Sequence, residues 1–388
     1  MKEESIKTKI LKRIPFIQYL KGIMKYDKIK KSIKEVDQYK EKQIEGTLTA
    51  NNVNISKKKM LKKFILSDIK NKDVVHEYLN SKINIIKENF NYDYDGTKEV
   101  TLVCLVKDDK YRIQELLKYY RKLGIKRFVF LDNKSTDGTY ELLYNQEEKD
   151  INLYLINDKY TTYRREAWLN LIYEHIGYEK WILCVDSDEF FSYIGQEKHT
   201  INEFATKLKN GRARCLLLDM YSKNYIFQEN TNDVIENYCY FDTNTYYNVN
   251  TYKSNLILGG PRMRVFSTEN QKMLCTVSKY PLFFYEEGDW QGCSHWQFPY
   301  KKNYSNEIIA VLKHYKFMFK DMEKYKKRIE EKNYASGSLE YKKYFEVLNE
   351  NKKVTFYFEN SEKLEDTSNL KNIIVSGKYR IKNIFDVE

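Results

Sequence analysis

Apolar residues form two kinds of pattern in the central part of the chain. Short continuous runs of strand length, such as Val100–Val106, alternate with segments in which apolar positions recur every three or four residues. Continuous β-branched runs are typical of parallel strands that are buried on both faces. The pattern predicts four strands separated by three helices: strands at 100–106, 127–131, 152–157 and 181–185, and helices at 111–123, 139–145 and 164–176.

This β-α-β-α-β-α-β order predicts an α/β fold built on a doubly wound sheet. The flanks differ from the central part, since both are rich in charge and show helical spacing. The turn-like segment Asn91–Gly96 separates the first flank from the strands. We therefore expect three parts: a basic helical N-terminal region at 1–95, a central α/β domain at 96–320 and a charged helical C-terminal extension at 321–388.

Composition narrows the class of protein. The chain has 388 residues, of which 42% are hydrophobic and 15% aromatic, so it is neither disordered nor fibrous. It has no apolar run of about 20 residues, and its first residues lack the uninterrupted apolar stretch of a secretory signal, so we expect neither a transmembrane helix nor such a signal. The six cysteines are scattered without a CxxC pair, which argues against a zinc ribbon. We expect a cytoplasmic protein.

The positive charge is concentrated at one end of the sequence. The net charge is +12, and residues 1–90 contain 22 Lys and Arg against 11 Asp and Glu. The rest of the chain is nearly neutral, which argues against nucleic acid as a partner of the central domain. Residues 1–30 have the spacing of a basic amphipathic helix, so an anionic membrane surface is a candidate partner. Location would then be peripheral, on the inner face of the plasma membrane. The alternative is a helix packed on the protein's own core.

Polar residues follow three of the predicted strands. Ligands of open α/β sheets bind outside the carboxyl ends of the strands. Asp186 and Asp188 come directly after the fourth strand and form a DxD pair, which is suited to a divalent cation such as Mg²⁺ or Mn²⁺. After the second strand, Asp132 and Asn133 begin the tract DNKSTDGT. These two side chains either bind a nucleoside or belong to a turn that caps the next helix.

Two nucleotide-binding motifs are missing from the sequence. No GxGxxG follows the first strand, which argues against a dinucleotide fold. No GxxxxGK[ST] occurs either, which argues against a P-loop enzyme.

Several segments together resemble glycosyltransferases of the family 2-like superfamily, and more closely a bacterial branch related to family 92. The segments lie in the family's order over residues 99–345: LVKDD, IQELLKYYRKLGIKRFVFLDNKSTDGT, RREAWLN, WILCVDSDEF, GGPRMRVF, KYPL, SHW and LKHYKF. The resemblance implies a GT-A fold, which is a Rossmann-like, nucleotide-sugar-binding mixed sheet flanked by helices. The family usually has an Asn-Glu pair where this chain has Asp108-Asp109.

The resemblance also implies roles for individual residues. The donor would contact Lys107 or Asp108, Asp132 and Arg165. The cation would be held by Asp186 and Asp188, and by a histidine from the C-terminal half, for which His314 and His295 are the candidates. The alternative for either histidine is a core residue bonded to the backbone.

Arg262 and Arg264 lie one residue apart on an expected strand, so they would point the same way. They would clamp a diphosphate or an anionic acceptor, or else pair with surface carboxylates.

The expected activity is transfer of a sugar from a nucleotide-sugar donor, a UDP-sugar in the first instance, with inversion. The acceptor would be a hydroxyl of a glycan or lipid-linked saccharide, as in capsule or lipopolysaccharide synthesis. An inverting displacement needs a base, for which Asp289 is the first candidate and Glu287 the second. Two alternatives stay open: a nucleotidyltransferase, and a non-catalytic glycan-binding or scaffold protein.

Overall fold

The structure is a computed structural model that describes residues 22–228, 234–267, 272–305, 307–331 and 335–386. Its helices, in chain order, are α1 (within 22–38), α2 (Ile55–Ser67), α3 (Asn71–Asn80), α4 (Lys110–Lys122), α5 (Thr139–Tyr144), α6 (Thr162–Ile176), α7 (Ile201–Thr206), α8 (Val234–Asn237), α9 (Gly260–Phe266), α10 (Asp321–Glu331) and α11 (Ala335–Glu350). Short 3₁₀ helices lie at Tyr300–Asn303 and Thr367–Asn372.

The strands, in chain order, are β1 (Thr47–Leu48), β2 (Ile83–Lys87), β3 (Val100–Val106), β4 (Arg127–Asp132), β5 (Ile151–Leu155), β6 (Lys180–Asp186), β7 (Glu189–Ser192), β8 (Cys215–Asp219), β9 (Tyr240–Asp242), β10 (Tyr246–Asn250), β11 (Asn255–Gly259), β12 (Ser278–Lys279), β13 (Leu282–Tyr285), β14 (Trp290–Cys293), β15 (Trp296–Phe298), β16 (Ala310–His314), β17 (Ser361–Lys363), β18 (Ile374–Val375) and β19 (Tyr379–Arg380).

The central sheet has the order β1-β2-β5-β4-β3-β6-β13. Strands β5, β4, β3 and β6 are parallel, whereas β2 and β13 pair with them in the antiparallel sense. A second sheet, β12-β8-β16-β7, continues from the end of β6. The prediction of an α/β fold is confirmed, and the sheets are mixed.

The buried strands form where the sequence places its continuous apolar runs. All but one residue of β3 is buried, because β3 has a strand on each side and helices on both faces. Helix α6 is also buried on most of its surface and includes Trp168. Its first turn is capped by the Thr161 hydroxyl, which accepts a hydrogen bond from the Arg164 N–H, and it ends at Gly177.

The N-terminal region shares the core of the central sheet. Strands β1 and β2 extend the sheet beyond β5, and Phe64 and Tyr78 from α2 and α3 pack in one cluster with Trp168 and Trp290. The predicted boundary at residue 95 therefore falls between two strands of one sheet. The prediction of a helical region is wrong over Ile83–Lys87, which forms a strand paired with β1 on one side and β5 on the other.

The predicted membrane-binding segment 1–30 lies largely outside the described residues, which begin at 22. Within the described chain, no helix combines the length and apolarity needed to cross a membrane.

The C-terminal extension begins with helices and ends in short strands. Helices α10 and α11 contribute Tyr325 and Tyr344 to an aromatic cluster that also contains Phe266, Phe317 and Phe356. Beyond them, β17 pairs with β9 and β18 pairs with β10. The extension is thus helical only in its first half, and it packs against the second half of the central region.

The buried charge of Lys313 lowers the free energy of unfolding. The Lys313 side chain on β16 is 5% exposed, and its ammonium lies 4.6 Å from the centre of the Tyr119 ring. Within the described residues, no carboxylate forms an ion pair with it. Burial lowers the pKa of Lys313 from its usual 10.5 to about 8, an effect that the more distant charge of Glu197 only partly offsets.

We expect Lys313→Met to raise the free energy of unfolding at pH 7 by roughly 1–3 kcal/mol, because the buried charge is removed at similar volume. The unfolded state binds more protons than the folded state between pH 8 and 10.5, so wild-type stability rises with pH in that window. The difference between variant and wild type should therefore shrink from pH 7 to pH 10.5. Urea unfolding at both pH values measures this, and a constant difference would contradict the assignment.

Candidate functional site

The strand order of the central sheet reverses at β3, which has β4 on one side and β6 on the other. Such a switch point opens a crevice at the carboxyl ends of the strands. A cleft of about 690 Å³ lies at this position. Its lining includes Lys107 and Asp109 after β3, Asn133 after β4, and Asp186 and Asp188 around the end of β6. The three strand ends that the sequence singled out therefore meet.

Asp186 is the last residue of β6, and two cations hold its carboxylate. Arg165 on α6 donates to Oδ1 at 2.9 Å, and the Lys279 ammonium donates to Oδ2 at 3.0 Å. Although burial opposes it, the charges of Lys279 and Arg165 lower the pKa of Asp186 well below its usual value. Arg165, for which the resemblance implies a contact with the donor, lines the cleft beside this carboxylate.

His314 ends β16, which lies between β7 and β8 in the second sheet. The register places His314 opposite Glu189 on β7 and opposite Asp219 on β8. Its Nδ1 lies 2.6 Å from Asp219 Oδ1 and its Nε2 lies 3.5 Å from Asp188 Oδ2. Because a carboxylate can only accept, Nδ1 carries a proton and Nε2 is directed at the acidic loop.

Asp188, Glu189 and His314 bring their ligand atoms within 4.8 Å of one another. Two carboxylates and an imidazole suit a divalent cation such as Mn²⁺. Glu189 is also paired with the Lys279 ammonium, so Asp188 and His314 are the members of this group that are not tied to a lysine. Of the predicted ligands, Asp186 and His295 fall outside this group among the described residues.

His295 follows β14 and faces the cleft from the opposite side. Its Nδ1 lies 2.8 Å from the Ser278 carbonyl oxygen. Since a carbonyl only accepts, Nδ1 carries the proton and Nε2 does not. Burial, together with the charge of Lys279, lowers the pKa of His295 from 6.5 to about 4. His295 is therefore a neutral acceptor at the edge of the cleft.

The predicted arginine pair is divided. Arg262 and Arg264 lie on helix α9, so residues two apart point in different directions. Arg264 pairs with Asp242 and stacks on the Phe358 ring, away from the cleft. Arg262 donates from Nε to Asp219 Oδ2 at 2.8 Å, and so supports the carboxylate that holds His314. The expectation of a strand with two parallel arginines is wrong.

The start of α9 depends on two glycines. Gly259 has φ +125°, and a Cβ there would lie 2.1 Å from the Thr245 carbonyl oxygen. Gly260 has φ +81° and faces Asp219, with a Cβ position 3.6 Å from Oδ2. The close approach at Gly259 is therefore made to the protein's own backbone.

The two aspartates after β3 have different roles. Asp108 Oδ1 accepts from the Thr136 N–H at 2.6 Å, so this side chain holds the DNKSTDGT loop and does not line the cleft. Asp109 lines the cleft and accepts from Ser187 at 2.5 Å and from Lys324 on α10 at 2.6 Å. Although burial opposes it, the charge of Lys324 lowers the pKa of Asp109.

Asp132 and Asn133 each have a buried side-chain oxygen with no hydrogen-bond partner among the described residues. Asp132 Oδ1 accepts from the Ser135 N–H at 2.9 Å, as a helix-capping turn would require, but Oδ2 is unpaired. Asn133 donates to the Asp158 carbonyl oxygen at 2.8 Å and leaves Oδ1 unpaired. Burial raises the pKa of Asp132. Unpaired buried acceptors are costly, and ligand N–H or O–H groups would satisfy them.

The predicted bases lie elsewhere. Asp289 precedes β14, is buried, and pairs with Arg212 at 3.0 Å and with Lys302 at 2.8 Å. Glu287 lines a separate cavity beside Lys57. Neither residue lines the cleft, so their assignment as base is wrong. A cluster of acidic residues before a strand does not show which way their side chains point. The Asp289 carboxylate points inward and is neutralised by the buried Arg212.

No role was predicted from the sequence for Lys279, Asp219, Asp109 or Lys324. A signal existed for Asp219, since it follows the apolar run Cys215–Leu218 as Asp186 follows its own strand. Lys279 stands in the quoted KYPL segment. Lys324 reaches the cleft from a charged helix in which nothing distinguishes it from its neighbours.

Comparison with known proteins adds nothing to these observations. No protein-family model matches the chain, and the curated proteins include no significant match. The resemblance to glycosyltransferases therefore stays a prediction that rests on the residues themselves.

The pKa values of the two cleft histidines should be shifted in opposite directions from the usual 6.5. With the protein in EDTA, we expect a histidine NMR signal with a pKa about 4 for His295 and one above 6.5 for His314. The variants His295→Gln and His314→Gln assign the two signals among the five histidines. A signal for His295 that titrates near 6.5 would show that its ring is hydrated and not held by Ser278.

Proposed function

We propose that the protein is a divalent-cation-dependent glycosyltransferase of GT-A type that uses a nucleotide-sugar donor. The observation that supports this most is the convergence at one switch point of the Asp186–Asp188 loop, His314 and several cationic side chains. Nucleotide-sugar chemistry needs such a combination, because a diphosphate must be bound and then released as the leaving group.

Asp188 and His314 would hold the cation in this proposal. The donor set is favourable, since the Asp219 carboxylate fixes the Nδ1 proton of His314 and leaves Nε2 for a ligand bond. The charge of Asp188 raises the pKa of His314 against the effect of burial, so a positive charge is favoured between these two groups. When bound, Mn²⁺ or Mg²⁺ would offset the charge of the departing nucleoside diphosphate.

The nucleoside would lie over the ends of β3 and β4. Asn133 lines the cleft, and its buried Oδ1 has no donor among the described residues, so a base N–H or a ribose hydroxyl would supply one. Asp132 is fully buried and does not line the cleft, so the donor contact expected for it is not part of this proposal. Lys107 lines the same part of the cleft. The cations Arg165 and Lys324 line the same cleft and would bind the diphosphate.

The acceptor hydroxyl would approach from the side of His295. The Nε2 of His295 is unprotonated, and His295 lines both the cleft and a second chamber that adjoins the cleft. Inverting displacement breaks the bond between the anomeric carbon and the diphosphate while the acceptor oxygen forms a new bond. His295 would accept the proton of the acceptor hydroxyl, which is the role that the sequence had suggested for Asp289.

Donor hydrolysis tests this function. A panel of UDP-, GDP- and CMP-sugars with and without Mn²⁺ should reveal hydrolysis of at least one donor that requires the cation. Asp188→Ala should lower that rate by at least about 100-fold, because a ligand is lost where outer-shell losses alone cost 10–100-fold.

Asp150→Asn, which removes a surface partner of Arg121, serves as the control and should hydrolyse donor at the wild-type rate. Hydrolysis by Asp188→Ala at the wild-type rate, at saturating Mn²⁺, would exclude this carboxylate as a ligand. The absence of any donor hydrolysis by the wild-type protein would overturn the proposal.

Two buried aspartates allow a matched test of His314 orientation. Asp219 and Asp242 are both buried and both pair with an arginine of α9, but only Asp219 contacts His314. Asp219→Asn should weaken Mn²⁺ binding by about 10–100-fold in calorimetry, whereas Asp242→Asn should leave it unchanged. Thermal melts of both variants correct for lost stability. Equal Mn²⁺ affinity in the two variants would show that Asp219 does not position the ligand.

A further inference from the structure

Glu166 is a buried carboxylate of the cleft that has no role in the proposed function. It lies near the start of α6, is 6% exposed and lines the cleft beside Arg165. Its Oε1 accepts from Arg165 Nη1 at 3.0 Å, whereas its Oε2 has no hydrogen-bond partner among the described residues. A buried carboxylate oxygen without a donor is costly, so a ligand that brings an O–H or N–H group to it would be stabilised.

The amides next to Glu166 are used elsewhere. Gln291 on β14 acts on the Glu166 carboxylate from nearby, but its Nε2 donates to the Cys293 carbonyl oxygen at 2.8 Å. On α6, the Asn170 amide donates to the Glu166 carbonyl oxygen at 2.8 Å and to the Gln291 carbonyl oxygen at 2.9 Å. Both hydrogens of the Asn170 amide are thus occupied, and Oε2 is left for a ligand.

The wall of the cleft around Glu166 has more carboxylates than cations. Arg165 bridges Glu166 and Asp186, since its Nη2 donates to Asp186 Oδ1 at 2.9 Å. Lys279 pairs with Asp186 and with Glu189, so three carboxylates share two cations. Burial raises the pKa of Glu166, and the charge of Arg165 opposes this by favouring the ionised carboxylate. The wall therefore suits hydroxyl groups and repels a further anion.

The neighbours of Glu166 relate it to the sugar of the donor. The sugar is bonded directly to the diphosphate, and Arg165, which would bind the diphosphate, is the side chain that holds Glu166. Glu166 also acts on the Cys293 thiol, which lies two residues before His295 and lines the cleft with it. Glu166 thus adjoins both the proposed diphosphate site and the segment that carries the proposed base, and the transferred sugar must lie between those two.

We propose that Glu166 determines the specificity for the donor sugar: its Oε2 accepts a hydrogen bond from a hydroxyl of a neutral sugar, and its charge excludes sugars that carry a carboxylate. The inference rests on the proposed function and names the sugar class of its donor, which the sequence leaves open. Because charge acts over several ångströms in a buried wall, a carboxylate at any position of the sugar ring would be repelled.

Calorimetry with matched donors in Mn²⁺ tests this inference. UDP-glucose and UDP-glucuronate differ only at C6, where the second has a carboxylate, and GDP-mannose and GDP-mannuronate form an equivalent pair. We expect wild type to bind the neutral member at least about tenfold more tightly than the acidic one. Glu166→Gln should bring the two affinities within about threefold, because the charge is removed, and should leave binding of the free nucleoside diphosphate unchanged.

Two further variants separate specificity from a purely structural role. Glu166→Asp keeps the charge but shortens the side chain, so it should still reject the acidic donor while binding the neutral one about tenfold more weakly. Glu174→Gln is the matched control, because Glu174 lies on the same helix, pairs with Lys57 and lines a separate cavity. It should bind every donor as wild type does. Thermal melts of all three variants check that they are folded.

The contrary results identify different errors. Equal losses by Glu166→Gln for the free nucleoside diphosphate and for both donors would show that Glu166 only positions Arg165. A wild-type preference for an acidic donor, including a CMP-linked one, would contradict the charge argument. Either result overturns the sugar assignment while cation-dependent hydrolysis of a donor by wild type still stands. The absence of hydrolysis of every donor overturns the proposed function, and the sugar assignment with it.

Discussion

The buried guanidinium of Arg112 joins the parts of the protein that form the cleft. It donates to Asp109 at 3.0 Å and to the Tyr315 carbonyl oxygen at 2.7 Å, and it also pairs with Asp321. These contacts connect the end of β3, the segment after β16 and the first residue of α10. A buried arginine is stable only when each of these acceptors is in place, since breaking such a pair costs about 3–5 kcal/mol. The position of the C-terminal helices over the sheet depends on this charge.

The carboxylates of the acidic loop are also paired with groups of opposite charge. Asp186 is matched by Arg165 and Lys279, whereas the ion pair that Asp188 makes among the described residues is with the imidazole of His314, and the charges of Arg112 and Lys324 act on it without such a pair. Two carboxylates one residue apart thus have different environments, one neutralised by fixed cations and one left to a group that can exchange its proton. This asymmetry distinguishes the loop from a surface acidic turn, in which both carboxylates would be hydrated.

Prediction from sequence succeeded where the signal is local. The run Val100–Val106 is a strand with the predicted bounds, and the strand ends that carry Asp186 and Asn133 meet as expected. Ile83–Lys87 was missed because it is short, is interrupted by Asn84 and lies between Lys82 and Lys87, so it has no continuous apolar run. The role of Arg262 was missed because it donates a hydrogen bond to Asp219, which lies 43 residues away in the sequence, and no local spacing reveals such a contact. Asp289 was misjudged for the same reason, since its partner Arg212 is distant in sequence.

The walls of the cleft come from distant parts of the chain. Asn71 and Val74 on α3 line one side, Lys253 follows β10, and Lys324 and Arg328 come from α10. A fragment limited to residues 96–320 would lack both the first and the last of these walls, together with the edge strands that complete the sheet. The smallest unit able to enclose a ligand at this site is therefore close to the whole described chain. Shuffling the central strands into another protein would transfer the acidic loop without the surface that surrounds it.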